Sequence, residues 1–434
     1  MQHESVILIL FTITSLKACP FLCNCILTWN QNNQLQNVWH CGQQGLTADK
    51  LNLITRDHNT TDVDVLYLTS NKLKDFNGNK LKGFTTLKTL HLGENQLSII
   101  PTSICQALPQ LEVLGLENNT ISAITPESFS DCNKLRHLKL SGNEVHLLLE
   151  STFSDTKNLE DLDLSQNAIH SIYSDSLKGL LKLTRIDLSG NNIQKIPDNL
   201  FSSSHDVQWV DLSHNQLTSF SRELTKHLLH VEELFLANNA LDTLGNGVFD
   251  GMKLKVLDLS NNEIVSLVPS MFGESVIEDL LLDGNPLQCN CNLKNILSDG
   301  GMNPIKASGL CTFPKTVLSD NTERVLKIAN LTKKLNCDND CFKNTSCQND
   351  GQCMLDIDKN TEIYSYQCRC SSGYHGNYCE LKKKTSKTLL VIVVIVVIPV
   401  LVLIVGLILF RRQCRRKRRH RGDMLPLTDD DFAL

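Results

Sequence analysis

Seventeen cysteines are the residues of this 434-residue chain best equipped for chemistry, since a thiol can pair oxidatively, bind a metal or act as a nucleophile. They cluster from Cys19 to Cys41, from Cys289 to Cys337 and from Cys341 to Cys379, with Cys105, Cys132 and Cys414 outside the clusters. Such density in short segments suggests disulfide-stapled modules of an oxidising compartment rather than reduced cytosolic thiols. In that compartment a metal site at Cys19, Cys23, Cys25 and Cys41 loses to bridging, although four cysteines admit three pairings by sequence alone. The thirteen histidines are scattered, and Gly-x-Ser-x-Gly, His-Glu-x-x-His and phosphate-cradling loops do not occur. No catalytic residue, cofactor, metal or enzyme activity is therefore expected.

The elements that must position these modules are set by a repeat. Between Leu66 and Leu287 the pattern apolar-x-apolar-x-x-Asn-x-apolar returns ten times, with Asn71, Asn95, Asn119, Asn143, Asn167, Asn191, Asn215, Asn239, Asn262 and Asn285 in register. Seven of the nine intervals are 24 residues and two are 23, which chance does not produce. Alternating residues such as Leu162 and Leu164 fit a short strand whose inward side chains fill an interior, while Asp163 points the other way. One strand per repeat makes a parallel sheet. Ten residues past the asparagines Phe129, Phe153, Phe201, Phe249 and Phe272 recur and would fill the convex side. No repeat buries its apolar face alone, so neighbours stack into a curved solenoid with an exposed concave sheet. Cys105 takes the phenylalanine place in its repeat and Cys132 lies three residues further along its own, so both face the interior. Their spacing fits either a bridge between neighbouring repeats or two buried thiols.

The blocks LEDLDLSQNAI, LTRIDLSGNNI and LKVLDLSNNEI make the chain resemble the leucine-rich-repeat family of the extracellular, 24-residue type. That resemblance implies an α/β solenoid, a curved array with a parallel concave β-sheet over residues 63–287, and a ladder of hydrogen-bonded asparagines. Cys19-Pro-Phe-Leu-Cys23-Asn-Cys25 with Cys41 is similar to the family's amino-terminal cap, taken as 19–62, and implies Cys19 with Cys25 and Cys23 with Cys41. Asn285-Pro-Leu-Gln-Cys289-Asn-Cys291 resembles the entry to the carboxyl-terminal cap, 288–337, and implies Cys289 with Cys311 and Cys291 with Cys337. A tryptophan often found after this entry is replaced by Ile296 and Leu297. The six cysteines of 338–380 resemble an EGF-like module, implying Cys341 with Cys353, Cys347 with Cys368 and Cys370 with Cys379. Asp338, Asn339 and Asp340 depart from the spacing of the calcium-binding variety, because Cys337 stands where an acid is expected, so the module reads as a folded spacer.

Met1 to Ala18 reads as a signal peptide, although its leading segment holds no Lys or Arg. Thr388 to Phe410 carries no charge and is long enough for a transmembrane helix despite Pro399. Arg411, Arg412 and the basic run to Arg421 outweigh Lys382, Lys383, Lys384 and Lys387, which predicts a single-pass type I protein of the plasma membrane, amino end extracellular, with a tail at 411–434. The formal net charge is −5; twelve Lys or Arg and four Asp in 382–434 leave about −13 for residues 19–381, which argues against nucleic acid as partner. The tail is too short for a catalytic domain. Cys414 suits either palmitoylation or a plain reduced thiol, and the closing Asp-Phe-Ala-Leu resembles a PDZ-domain ligand.

The order of cap, repeats, cap, EGF-like module and membrane helix resembles vasorin-like and Slit-related cell-surface receptors. It implies a receptor or adhesion protein that holds an extracellular protein ligand on its concave sheet. A growth-factor trap or decoy shed near Lys382 to Lys387, and an innate receptor for microbial products, are the alternatives. On the concave face Asp163, Asp187, Asp211 and Asp258 share one position and offer an acidic docking stripe, with Asp187 and Asp211 as candidate ligand contacts, although the family consensus itself supplies that aspartate. Trp209 and Phe235, with Val256 and Leu281 on the next two strands, place large apolar groups toward water and are the better interface candidates. Sequons at Asn59, Asn118, Asn330 and Asn344 mark glycosylation sites, and a glycan on Asn118 would crowd the concave rim.

Overall fold

The computed structural model describes residues 19–55, 60–298, 305–313, 318, 324–337, 347–358, 360–383 and 398–419. They belong to two compact units: the first holds the described residues up to 337 together with those of Met354–Tyr366, the second those before Met354 in the EGF-like segment and from Gln367 onward.

In the first unit the repeats build a single sheet of thirteen strands. Ten strands come one from each repeat, from Val65–Tyr67 to Val276–Leu281, all parallel and in register. Inward residues Leu66, Leu90, Leu114 and Leu138 therefore stand opposite one another, and each is fully buried. Each such leucine contributes roughly 2 kcal/mol of transfer free energy. On the convex side the recurrent phenylalanines stack, with Phe129 and Phe153 ring centroids 5.6 Å apart.

The asparagine ladder is continuous. At Asn143 the amide donates to Leu140 O at 3.0 Å and Leu116 O at 2.9 Å and accepts from Ile121 N–H at 3.0 Å. One side chain thus satisfies three backbone groups that the turn leaves unpaired. The turn itself needs a left-handed residue just before each ladder asparagine. Asn118 and Asn238 sit there at φ 54°, while Gly142 and Gly190 meet the requirement without Cβ strain.

Both sheet edges are capped. Asn24–Trp29 and Leu35–His40 form an antiparallel hairpin, and the second of these strands pairs in parallel with Val65–Tyr67. Cys19–Cys25 and Cys23–Cys41 staple it, and buried Trp39 meets Phe84 edge-on at 5.7 Å. At the other end Cys289–Cys311 and Cys291–Cys337 hold the helix Cys291–Ser298 over the last repeat. Ile296 and Leu297, standing where the family's tryptophan is often found, are both buried in that cap. Asn290 caps the helix through a 2.9 Å bond from Leu293 N–H. The open question at Cys105 and Cys132 resolves to a bridge with Cα atoms 5.0 Å apart. Cys105 rides on the helical turn Ile104–Ala107 and Cys132 follows the 3-10 turn Pro126–Phe129, which brings adjacent repeats within disulfide reach.

Residues of the EGF-like hairpin that belong to the first unit extend the carboxyl-terminal cap: Leu335–Asn336 pairs in parallel with Tyr364 and Ser365, and Phe313 stacks on Tyr364 at 4.4 Å. In the second unit Cys347–Cys368 and Cys370–Cys379 are bridged and Cys353 is disulfide-bonded, its expected partner Cys341 lying outside the described residues. The helix Ile398–Arg419 begins inside the apolar run and continues into the basic one. Among the described residues no helix is long and apolar enough to cross a membrane; residues 388–397, the first part of the expected span, lie outside them. The expected signal peptide, Asp338 to Asp340, and the tail from 420 likewise lie outside.

Candidate ligand-binding face

Each repeat strand presents two side chains on the concave surface, so strand pairing lines them up in two columns. One column runs Asp161, Arg185, Trp209, Glu233, Val256 and Asp279. The other runs Asp163, Asp187, Asp211, Phe235, Asp258 and Leu281.

The aspartate stripe is real but already engaged. Asp163 accepts from Ser165 N–H at 3.0 Å and Ser165 Oγ–H at 2.6 Å, and Asp187 treats Ser189 the same way at the same distances. Asp211 accepts from Ser213 N–H at 2.8 Å and Asp258 from Ser260 N–H at 2.9 Å. Each carboxylate thus fixes the start of its own turn. Burial pushes the Asp187 carboxyl above its ordinary range, against the lowering by its Ser189 bonds, and neighbouring Asp211 and Asp163 add repulsion. Asp187 and Asp211 are accordingly better described as parts of the scaffold than as free docking groups.

The apolar patch is different in kind. Trp209 and Phe235 lie diagonally across adjacent strands with ring centroids 5.5 Å apart, and both are half-buried. Val256 and Leu281 continue the diagonal alternation and are half-buried too. Arg185, which the repeat pattern left unremarked, lays its guanidinium 3.2 Å from the Trp209 ring centroid. Its Nε stands 3.7 Å from Asp161 and its Nη2 3.6 Å from Asp187, while Asp161 also faces His137 Nδ1 at 3.7 Å. An oriented guanidinium on an indole is worth about 1 kcal/mol. More to the point, it presents donors beside two aromatic rings, the residue types that dominate protein interfaces. The sequence signal for Arg185 was its position 24 residues before Trp209, the same place one repeat earlier.

Among the sequons, Asn118 is exposed and its carbonyl oxygen packs where a Cβ on Gly142 would lie 2.3 Å away, on the turn rim beside the concave strands. Asn330 is exposed on the carboxyl-terminal cap, and Asn59 and Asn344 lie outside the described residues.

Comparison with known proteins gives a consistent identification. A leucine-rich-repeat model matches residues 61–114, 85–145 and 230–287, a BspA-type leucine-rich-repeat model matches 123–255 in six copies, and an EGF-like domain model matches 341–378. Together the repeat models run unbroken from 61 to 287. No curated protein matches. Among solved structures, the chain is similar to a chain of the octameric complex of Latrophilin 3, Unc5D and FLRT2, whose leucine-rich-repeat component is FLRT2, at 19% identity and TM-score 0.47, covering 67% of this chain and 92% of that one. The leucine-rich-repeat domain of APL1B matches at 21% identity and TM-score 0.44 over 58% of this chain and 76% of that one. A TLR13–ssRNA13 complex matches at 18% and 0.35, over 61% of this chain and 53% of that one. The protein described here belongs to the leucine-rich-repeat family, with an EGF-like domain following its repeats.

Proposed function

We propose that the chain is a non-enzymatic, single-pass type I cell-surface protein whose concave sheet binds an extracellular protein ligand, in a receptor or adhesion role. The observation that carries this reading is the Arg185–Trp209–Phe235 cluster, a stacked cation and two large rings held half-buried on a rigid sheet with no covering element of the chain among their described contacts. Rigid aromatic anchors next to a positioned guanidinium lose little side-chain entropy on docking. Membrane attachment rests on the uncharged run Thr388 to Phe410 and the basic residues after it. The disulfide-bonded caps agree with an oxidising, extracellular setting. Cells displaying the full chain, exposed to a panel of secreted proteins and soluble ectodomains, test the reading. It expects at least one protein to bind and that binding to vanish in a Trp209→Ala, Phe235→Ala variant that still reaches the surface. Binding by none, or binding indifferent to the variant, refutes it.

A further inference from the structure

Four repeats clasp a concave aspartate to the serine two residues on, as Asp163 does to Ser165. Near the amino end the two slots are filled otherwise, by His91 and Gly93 in one repeat and by Gly115 and Glu117 in the next. The carboxylate there arrives from the serine slot. It lies across both glycines: a Cβ on Gly93 would stand 2.8 Å from Glu117 Cδ, and one on Gly115 would stand 2.7 Å from Glu117 Oε2 and 2.9 Å from His91 Nδ1. Having no serine to clasp, Oε2 is buried without a hydrogen-bond partner, and Lys139, next in the column, leaves it so. Such an atom costs free energy until a donor reaches it.

Beside these glycines ends a stack of rings, whose last member, His91, stands next to Gly115. His40, Tyr67 and His91 stack on consecutive strands, with centroids 4.6 and 4.5 Å apart and planes within 7° and 8° of parallel. Burial holds the His91 imidazole below its ordinary range, so this side of the site is uncharged at neutral pH. A guanidinium is the cation that both stacks flat on a ring and donates in its plane to a carboxylate. We infer that the site over Gly93 and Gly115 receives an arginine side chain of the protein ligand, with Glu117 as its counter-ion and the face of His91 turned away from Tyr67 as its stacking wall. The inference deepens the docking reading and adds a contact separate from Trp209.

Saturation-transfer difference NMR on the full chain in detergent micelles tests it, with acetyl-arginine amide as probe and acetyl-citrulline amide as its uncharged match. The arginine side chain is expected to be saturated and citrulline not. Glu117→Gln, which keeps the shape, should weaken probe binding roughly tenfold, and His91→Leu should weaken it as well. Equal signals from both probes, an unchanged signal in Glu117→Gln, or no signal from arginine overturns the inference. Trp209→Ala should leave the probe signal intact, so failure of the Trp209 docking reading and failure of this site are separately visible.

Discussion

At the scale of single residues, the ladder asparagines illustrate how a polar side chain stabilises a buried turn. Replacing Asn143 by alanine strands Leu116 O, Leu140 O and Ile121 N–H without their partner. A loss of about 3 kcal/mol is expected, read by chemical denaturation. Asp187 predicts a pH dependence of opposite character to the usual carboxylate. Its folded pKa is raised above the ordinary 3.8, chiefly by burial, so its stabilising contribution is complete below that value and is lost as pH rises through the raised pKa. Asp187→Asn retains an acceptor for Ser189 and removes the ionisation. Relative to this variant, the wild type should lose melting temperature from pH 3.8 upward and level off once Asp187 is fully ionised. A wild-type-minus-variant difference that is flat with pH, or that grows in favour of the wild type, contradicts the account.

At the scale of elements, much was legible because one rule is written ten times. Leu162, Asp163 and Leu164 declare a strand and its two faces, Asn167 marks its ladder position, and register then follows from the 24-residue spacing. In the caps and the EGF-like module, the bridges between described cysteines are the ones that resemblance implied. Cys105–Cys132 was not decidable, because the distance between neighbouring convex turns depends on whether they are helical or extended. Side-chain reach was also hidden: nothing in a repeat pattern says that Arg185 folds onto Trp209 or that Glu117 leans across two glycines. The Cys105–Cys132 bridge closes a 27-residue separation and is expected to stabilise by about 3 kcal/mol. A Cys105→Ser, Cys132→Ser variant should therefore unfold at lower denaturant, and peptide mapping without reductant should recover the two cysteines joined. Free thiols at both positions would contradict the fold as described.

At the scale of the whole molecule, a solenoid spreads its stability along nearest neighbours and leaves one long, pre-formed surface open. The concave columns divide that surface into a scaffold of self-clasped aspartates and a cluster, Arg185 with Trp209 and Phe235, that no internal bond consumes in the same way. Docking on this cluster, as proposed, would make the ligand's affinity depend on a few anchors rather than on total area. The most direct test is to measure, on cells displaying the full chain, the affinity of a captured ligand for Trp209→Ala, Phe235→Ala and Arg185→Ala beside Tyr173→Ala, an exposed residue just past the short strand Ser171–Ile172, which pairs with Leu147–Leu148 outside the thirteen-stranded sheet. The account predicts a loss of at least about 2 kcal/mol for Trp209→Ala, smaller losses for the other two concave variants and none for Tyr173→Ala. A ligand that tolerates all three concave substitutions while losing affinity in Tyr173→Ala would contradict it.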